Sequence, residues 1–101
     1  MEQFHIVIFE EANNYILGLS NTIMYKYEAP ITAIVYIQGL LDEIKKLKIY
    51  ADSFPIQKST FFKQYGFNVR RLNYKKMTVI YTLIDNTAYI QRVIASSTIS
   101  D

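Results

Sequence analysis

Apolar and polar residues alternate over residues 77–84 and again over 87–96, the period of a strand with one buried face. In the first run Val79, Tyr81 and Leu83 fall on one side, and Thr78, Ile80, Thr82 and Ile84 on the other. In the second run Ala88, Ile90, Arg92 and Ile94 are expected to share a face, opposite Tyr89, Gln91, Val93 and Ala95. Asp85-Asn86 separates the runs, and both residue types tolerate the positive φ of a tight hairpin. Residues 67–73 form a further strand that leads into the polar turn Asn73-Tyr74-Lys75-Lys76. Together these make a three-stranded antiparallel meander.

Ahead of the meander the period changes. Residues 3–9 (QFHIVIF) are rich in β-branched residues, lack Gly and Pro, and predict a first strand. From Glu10-Glu11, Ala12, Tyr15, Ile16, Leu19, Ile23 and Tyr27 recur at helical spacing, with carboxylates where the helix dipole favours them. Ala29-Pro30 opens a second helix over residues 31–50, its expected stripe being Ile34, Ile37, Leu41, Ile44 and Leu47 or Lys48. A short connector makes the two helices an antiparallel hairpin. Residues 51–60 form a loop around Phe54-Pro55. Phe61, Phe62, Tyr65 and Phe67 then form an aromatic cluster expected to bury as core and loop anchors. The order is β-α-α-β-β-β, an α+β two-layer domain spanning residues 1–101.

Composition narrows the chemistry more than the fold. With 101 residues, half of them hydrophobic, the chain can build one core and is not disordered. It has no cysteine, so disulfides and thiol chemistry are excluded, and a cytoplasmic setting is expected. No apolar window reaches the length of a membrane span, and the N-terminal residues lack the basic region of a signal peptide. The net charge of +2 is unevenly divided: residues 1–56 carry −3 and residues 57–101 carry +5. Lys58, Lys63, Arg70, Arg71, Lys75, Lys76 and Arg92 supply the positive half, suited to a phosphate backbone or an acidic partner.

No phosphate-loop, zinc or nucleophile motif is present, so no cofactor and no metal site is expected. His5 is the only histidine and has no partner in sequence for a triad. What remains is binding, or metal-free acid–base chemistry. Arg70, Arg71, Lys75, Lys76 and Arg92 are the candidate partner- or phosphate-binding residues, since guanidinium groups bind phosphate oxygens bidentately. Arg70, Arg71 and Tyr81, with Tyr74 beside them, are the candidates for catalysis.

Three segments carry a resemblance: QFHIVIFEEANNYI, LLDEIKKLKIYADSFP and YGFNVRRLNYKKMTVIYTLIDNTAYIQRVIASS. Together they resemble the RelE/ParE superfamily of toxins from type II toxin–antitoxin systems, in the plasmid-stabilisation style of sequence. The resemblance implies a compact toxin neutralised by a cognate antitoxin. RelE-like members are ribosome-dependent endoribonucleases acting on mRNA through Arg and Lys of the central strands. Here Arg70 or Arg71 falls at the strand arginine position, and Arg92 lies in the IxRVI strand as in ParE-like sequences. The departure is at the end of the last strand, where Ala95-Ser96-Ser97-Thr98 replaces the His, Tyr or Arg of RelE-like nucleases. ParE-like toxins inhibit DNA gyrase without that constellation, so the resemblance is closer to them. The remaining alternatives are an mRNA interferase using Arg70, Arg71, Lys75 and Tyr81 or Tyr74, and an inactive member that only binds antitoxin. Self-association stays open.

Overall fold

The computed structural model describes residues 3–100. The predicted order is observed. Strand β1 (His5–Ile8) is followed by helix α1 (Glu10–Asn21), helix α2 (Pro30–Lys45) and a single further turn α3 (Leu47–Tyr50). Strands β2 (Val69–Tyr74), β3 (Met77–Ile84) and β4 (Thr87–Ala95) then form the meander. The spatial order is β1-β4-β3-β2, with β1 parallel to β4 and the other pairings antiparallel. The helices pack on one face, giving the α+β two-layer architecture.

The helical segments end for local reasons. After Asn21 the backbone continues through a π-type turn, Thr22–Lys26, and Thr22 Oγ1 donates to Gly18 O at 2.9 Å, a back-bond that loosens helices. Glu28 takes φ +50°, and Pro30 starts α2 where its missing N–H costs nothing. The first expected helix is therefore shorter than its apolar stripe. Tyr27 is exposed, and only Ala12 and Ile16 are fully buried. The second helix breaks at Lys46.

Two faces required correction. On α2 the expected Ile44 and Leu47 are buried and Ile37 and Leu41 pack half-buried against the core, but Ile34 is exposed and Ala33 and Leu40 are the other fully buried residues. Residues 31–41 are almost all apolar, so more than one helical stripe fits, and packing selects the one with small Ala33. On β4 the expected common face of Ala88, Ile90, Arg92 and Ile94 does not exist. Tyr81 pairs with Ile90 but Ile80 pairs with Arg92, leaving Gln91 as the extra residue of a bulge. Ala88, Ile90 and Val93 consequently face the helices, and Arg92 and Ile94 turn to the opposite side.

The helix-side core contains fourteen buried residues, among them Leu40, Ile44, Leu47, Leu72, Val79, Tyr81, Ile90 and Val93. The opposite face has a thinner cover: a 3-10 segment, Thr60–Tyr65, seats Phe62 against Val69 and Ile80, and Ile99 packs beside them. At roughly 1.5–3 kcal/mol for each large side chain fully buried, the helix side dominates stability. One close approach sets its geometry. The Tyr74 hydroxyl lies against α2 where a Cβ on Gly39 would collide with it.

Candidate functional site

The basic residues of the sheet separate into three places. Arg70 lies on the helix side, in register with Tyr81. Its Nη1 donates to the carbonyls of Asp52 (3.1 Å) and Phe54 (2.5 Å), while Tyr81 Oη donates to Ala51 O at 2.6 Å. Ile56 bridges to Arg70, and Gln57 N donates to Val69 O at 2.7 Å. These bonds hold the loop after α3 against β2, and the Phe54 ring stands edge-on to Tyr81 at 6.4 Å. Burial pushes the Tyr81 phenol well above its ordinary range, the Asp52 carboxylate adds to this, and Arg70 partly opposes it. A phenol so held stays protonated near neutral pH and is a poor general base. Arg70 Nε is buried without a partner, so Arg70 serves the loop through Nη1.

Arg71, one residue later, points to the other face. It pairs with Ile80, which pairs with Arg92, so Arg71, Ile80 and Arg92 form one row across three strands. At the usual spacing of strands their backbones lie about 10 Å apart. The Arg71 guanidinium sits over the Phe62 ring at 5.7 Å and that of Arg92 over Tyr65 at 5.9 Å. Arg92 also donates to Gln91 O at 2.7 Å and lies 3.6 Å from Glu11. The β4 bulge creates this pair, since without it Arg92 would face the helices.

Lys75 and Lys76 occupy the β2–β3 turn. Lys75 adopts φ +52° and holds its ammonium 5.6 Å from the Tyr36 ring and 5.5 Å from Tyr74, beside α2. At the end of β4, Ser96–Thr98 forms a 3-10 turn in which Ser96 Oγ and Thr78 Oγ1 meet at 2.7 Å, and Thr78 also donates to Asn73. These short hydroxyl side chains offer no general acid or base. His5 is exposed, and among the described residues no group of three or more His, Cys, Asp or Glu could hold a metal ion.

Two further features escaped sequence reasoning. The turn of the helical hairpin and the start of α2 leave Tyr25, Tyr27, Ile31, Ile34 and Val35 exposed, apolar and aromatic residues that in sequence read equally well as core. Phe67, expected to bury with its aromatic neighbours, is 94% exposed. The signal that could have marked it is its position between Gly66 and Asn68, two residue types that tolerate positive φ. No helix among the described residues is long and apolar enough to cross a membrane.

No family model matches this sequence, and no curated protein matches it. A solved structure described as the chromosomal ParDE TA system from P. aeruginosa contains a chain of the same fold. The TM-score is 0.76 at 14% identity, over 92% of this chain and 96% of that one. The protein therefore shares the fold of a chain in that ParDE system.

Proposed function

We propose that a chain with this ParE-like fold is the toxin of a type II toxin–antitoxin pair, acting by binding DNA gyrase in the cytoplasm and silenced by a cognate antitoxin. The observation that carries the reading is the engagement of Arg70 and Tyr81 in architecture. A nuclease needs groups that move protons at the scissile phosphate. The two strand residues best suited by type are instead bonded to the carbonyls of residues 51–54. The end of β4 offers the hydroxyls of Ser96, Ser97 and Thr98. Inhibition by binding requires none of this chemistry. Arg71 and Arg92, in one row on the outer face with Ile80 between them, are the partner-binding pair in this reading, with Lys75 and Lys76 at the hairpin end.

The antitoxin is assigned to the exposed apolar residues of the helical hairpin. A helix laid there would cover Ile31, Ile34 and Val35 as anchors at helical spacing. A second reading, mRNA cleavage at the ribosome, draws on the Arg71–Arg92 pair, which can hold a phosphate. With Tyr81 bonded to Ala51 O and only hydroxyls at the end of β4, its proton transfers would fall to Tyr74 or Lys75.

Induced expression in a bacterium with a DNA-damage reporter tests the proposal. Growth arrest with reporter induction and an intact RNA pool is expected, with rescue by the small reading frame adjacent to the gene. Arrest with a silent reporter and cleaved mRNA would transfer the assignment to the ribosome. Normal growth, with the protein still captured by that neighbour, would identify an inactive antitoxin-binding member.

A further inference from the structure

Phe67 is the most exposed large apolar side chain among the described residues, at 94%. A single exposed apolar residue needs no explanation by itself. Here its backbone setting, its flanking charges and the cleft beside it coincide. Gly66 takes φ +117° and Asn68 φ +53°, so both neighbours hold conformations that most L-residues resist. Beyond them, Val69 is buried and begins β2. Phe67 is thus displayed on a tight turn that leads directly into a fixed strand.

Beside the ring lies a cleft of about 330 Å³ whose apolar lining comes from Ile56, Phe62 and Val69 and whose rim carries Lys58 and Lys63. Both lysines are exposed, and neither forms a salt bridge among the described residues. No Asp or Glu occurs between Asp52 and Asp85. Asp85 turns the chain at the same end of the sheet but is bonded to neither lysine. The result is a protruding ring and an adjoining apolar recess, framed by two ammonium groups.

We infer that this tip is the docking element for the target, and that it fits a protein surface with an apolar socket for Phe67 and carboxylates facing Lys58 and Lys63. The inference rests on the proposed function and deepens it by naming the side of the toxin that engages gyrase. Charge selects the occupant. A second copy seated ring-to-recess would bring four lysines together, and like charges across an interface are unfavourable. Single-stranded nucleic acid needs several free ring faces along a basic track. On this side Phe62 is buried under Arg71, Tyr65 lies under Arg92, and Phe61 packs on both aromatic neighbours. One free ring between two charges is instead the pattern of an interface anchor with a polar rim.

Position also separates this tip from the antitoxin's assigned place. Lys75, at the far end of β2, meets Tyr36 of α2, whereas Phe67 precedes the first residue of that strand. The six-residue strand spans about 17 Å. Antitoxin binding at the helical hairpin can therefore leave the tip uncovered.

The test is inhibition of purified gyrase in a supercoiling assay by the wild type, Phe67→Ala, Phe67→Tyr and the double variant Lys58→Glu, Lys63→Glu. Phe67→Ala should raise the concentration for half inhibition by about 30-fold or more, the loss expected of an interface hot spot. Phe67→Tyr should stay close to the wild type. The charge reversal should weaken inhibition and flatten its salt dependence. Because the ring is exposed, Tm and capture of the antitoxin should be unchanged, which excludes misfolding. Wild-type inhibition retained by Phe67→Ala would overturn the tip assignment and leave the gyrase reading intact. Loss of antitoxin capture with inhibition retained would give the tip to the antitoxin. Parallel loss of binding to a labelled single-stranded oligonucleotide would give it to nucleic acid. A wild-type protein inert toward gyrase would overturn the functional reading, and this inference with it.

Discussion

Arg70 and Arg71 are consecutive residues of one strand, and the sheet assigns them to different kinds of work. On the helix side, Arg70 and Tyr81 close their polar atoms on backbone carbonyls of the loop after α3, beneath a core of fourteen buried residues. On the outer side, Arg71 and Arg92 lie over aromatic rings of a thin cover, with only Val69, Ile80 and Phe62 buried beneath. A charged group in a closed network is architecture, and one on a thin, partly open face remains available to a partner. The alternation of a strand converts one step in sequence into that difference.

The comparison breaks most completely at Tyr81. Tyr81→Ala removes a fully buried ring and should cost about 3–5 kcal/mol, read as a lowered urea midpoint with the slope unchanged. Antitoxin binding and toxicity should fall together with it. A variant that kept its stability would mean that the helix side is not the dominant core.

Arg70 and Arg71 sharpen the contrast directly. Arg70→Ala should destabilise by about 1.5–3 kcal/mol, the usual range for hydrogen bonds to a charged group. The buried, unpartnered Nε favours the lower end. Arg71→Ala should cost less than about 1 kcal/mol, since it loses a stacking contact at a partly open site. Its effect should appear in partner affinity instead. Equal stability losses for the two variants would erase the distinction between the faces.

The smallest effect concerns pH. The Tyr81 phenol is held above its ordinary value of 10.0, chiefly by burial. As pH rises, the unfolded chain therefore loses this proton before the folded protein does. Tyr81's contribution is complete below about pH 10 and declines above it. Tyr81→Phe should cost about 1 kcal/mol at neutral pH, through the lost bond to Ala51 O. It should also fall less steeply in stability than the wild type between about pH 10 and pH 11.5. Parallel curves would show that this hydroxyl is not shielded from alkali.

Where the period of the chain was unambiguous, the reading held. The runs in β3 and β4 gave the meander, and Pro30 marked the start of α2. The reading failed where two patterns overlapped. Residues 31–41 are apolar enough to offer more than one helical face, and strict alternation through residues 87–96 could not anticipate a residue removed from register at Gln91. That extra residue moved Arg92 into one row with Arg71. Aromatic character predicted burial for Phe61, Phe62, Tyr65 and Phe67 alike, yet the backbone at Gly66 and Asn68 turned the last of them outward.

The sequence by itself determined the elements, their order and the supply of positive charge, because these follow from local period, turn chemistry and composition. The tertiary structure alone decided that β1 joins β4, that Arg70 and Tyr81 hold a loop, and that Arg71 and Arg92 share one row across the sheet with Ile80 between them. Those outcomes depend on strand register and on which face another element covers, and both are set by contacts between residues far apart in the chain.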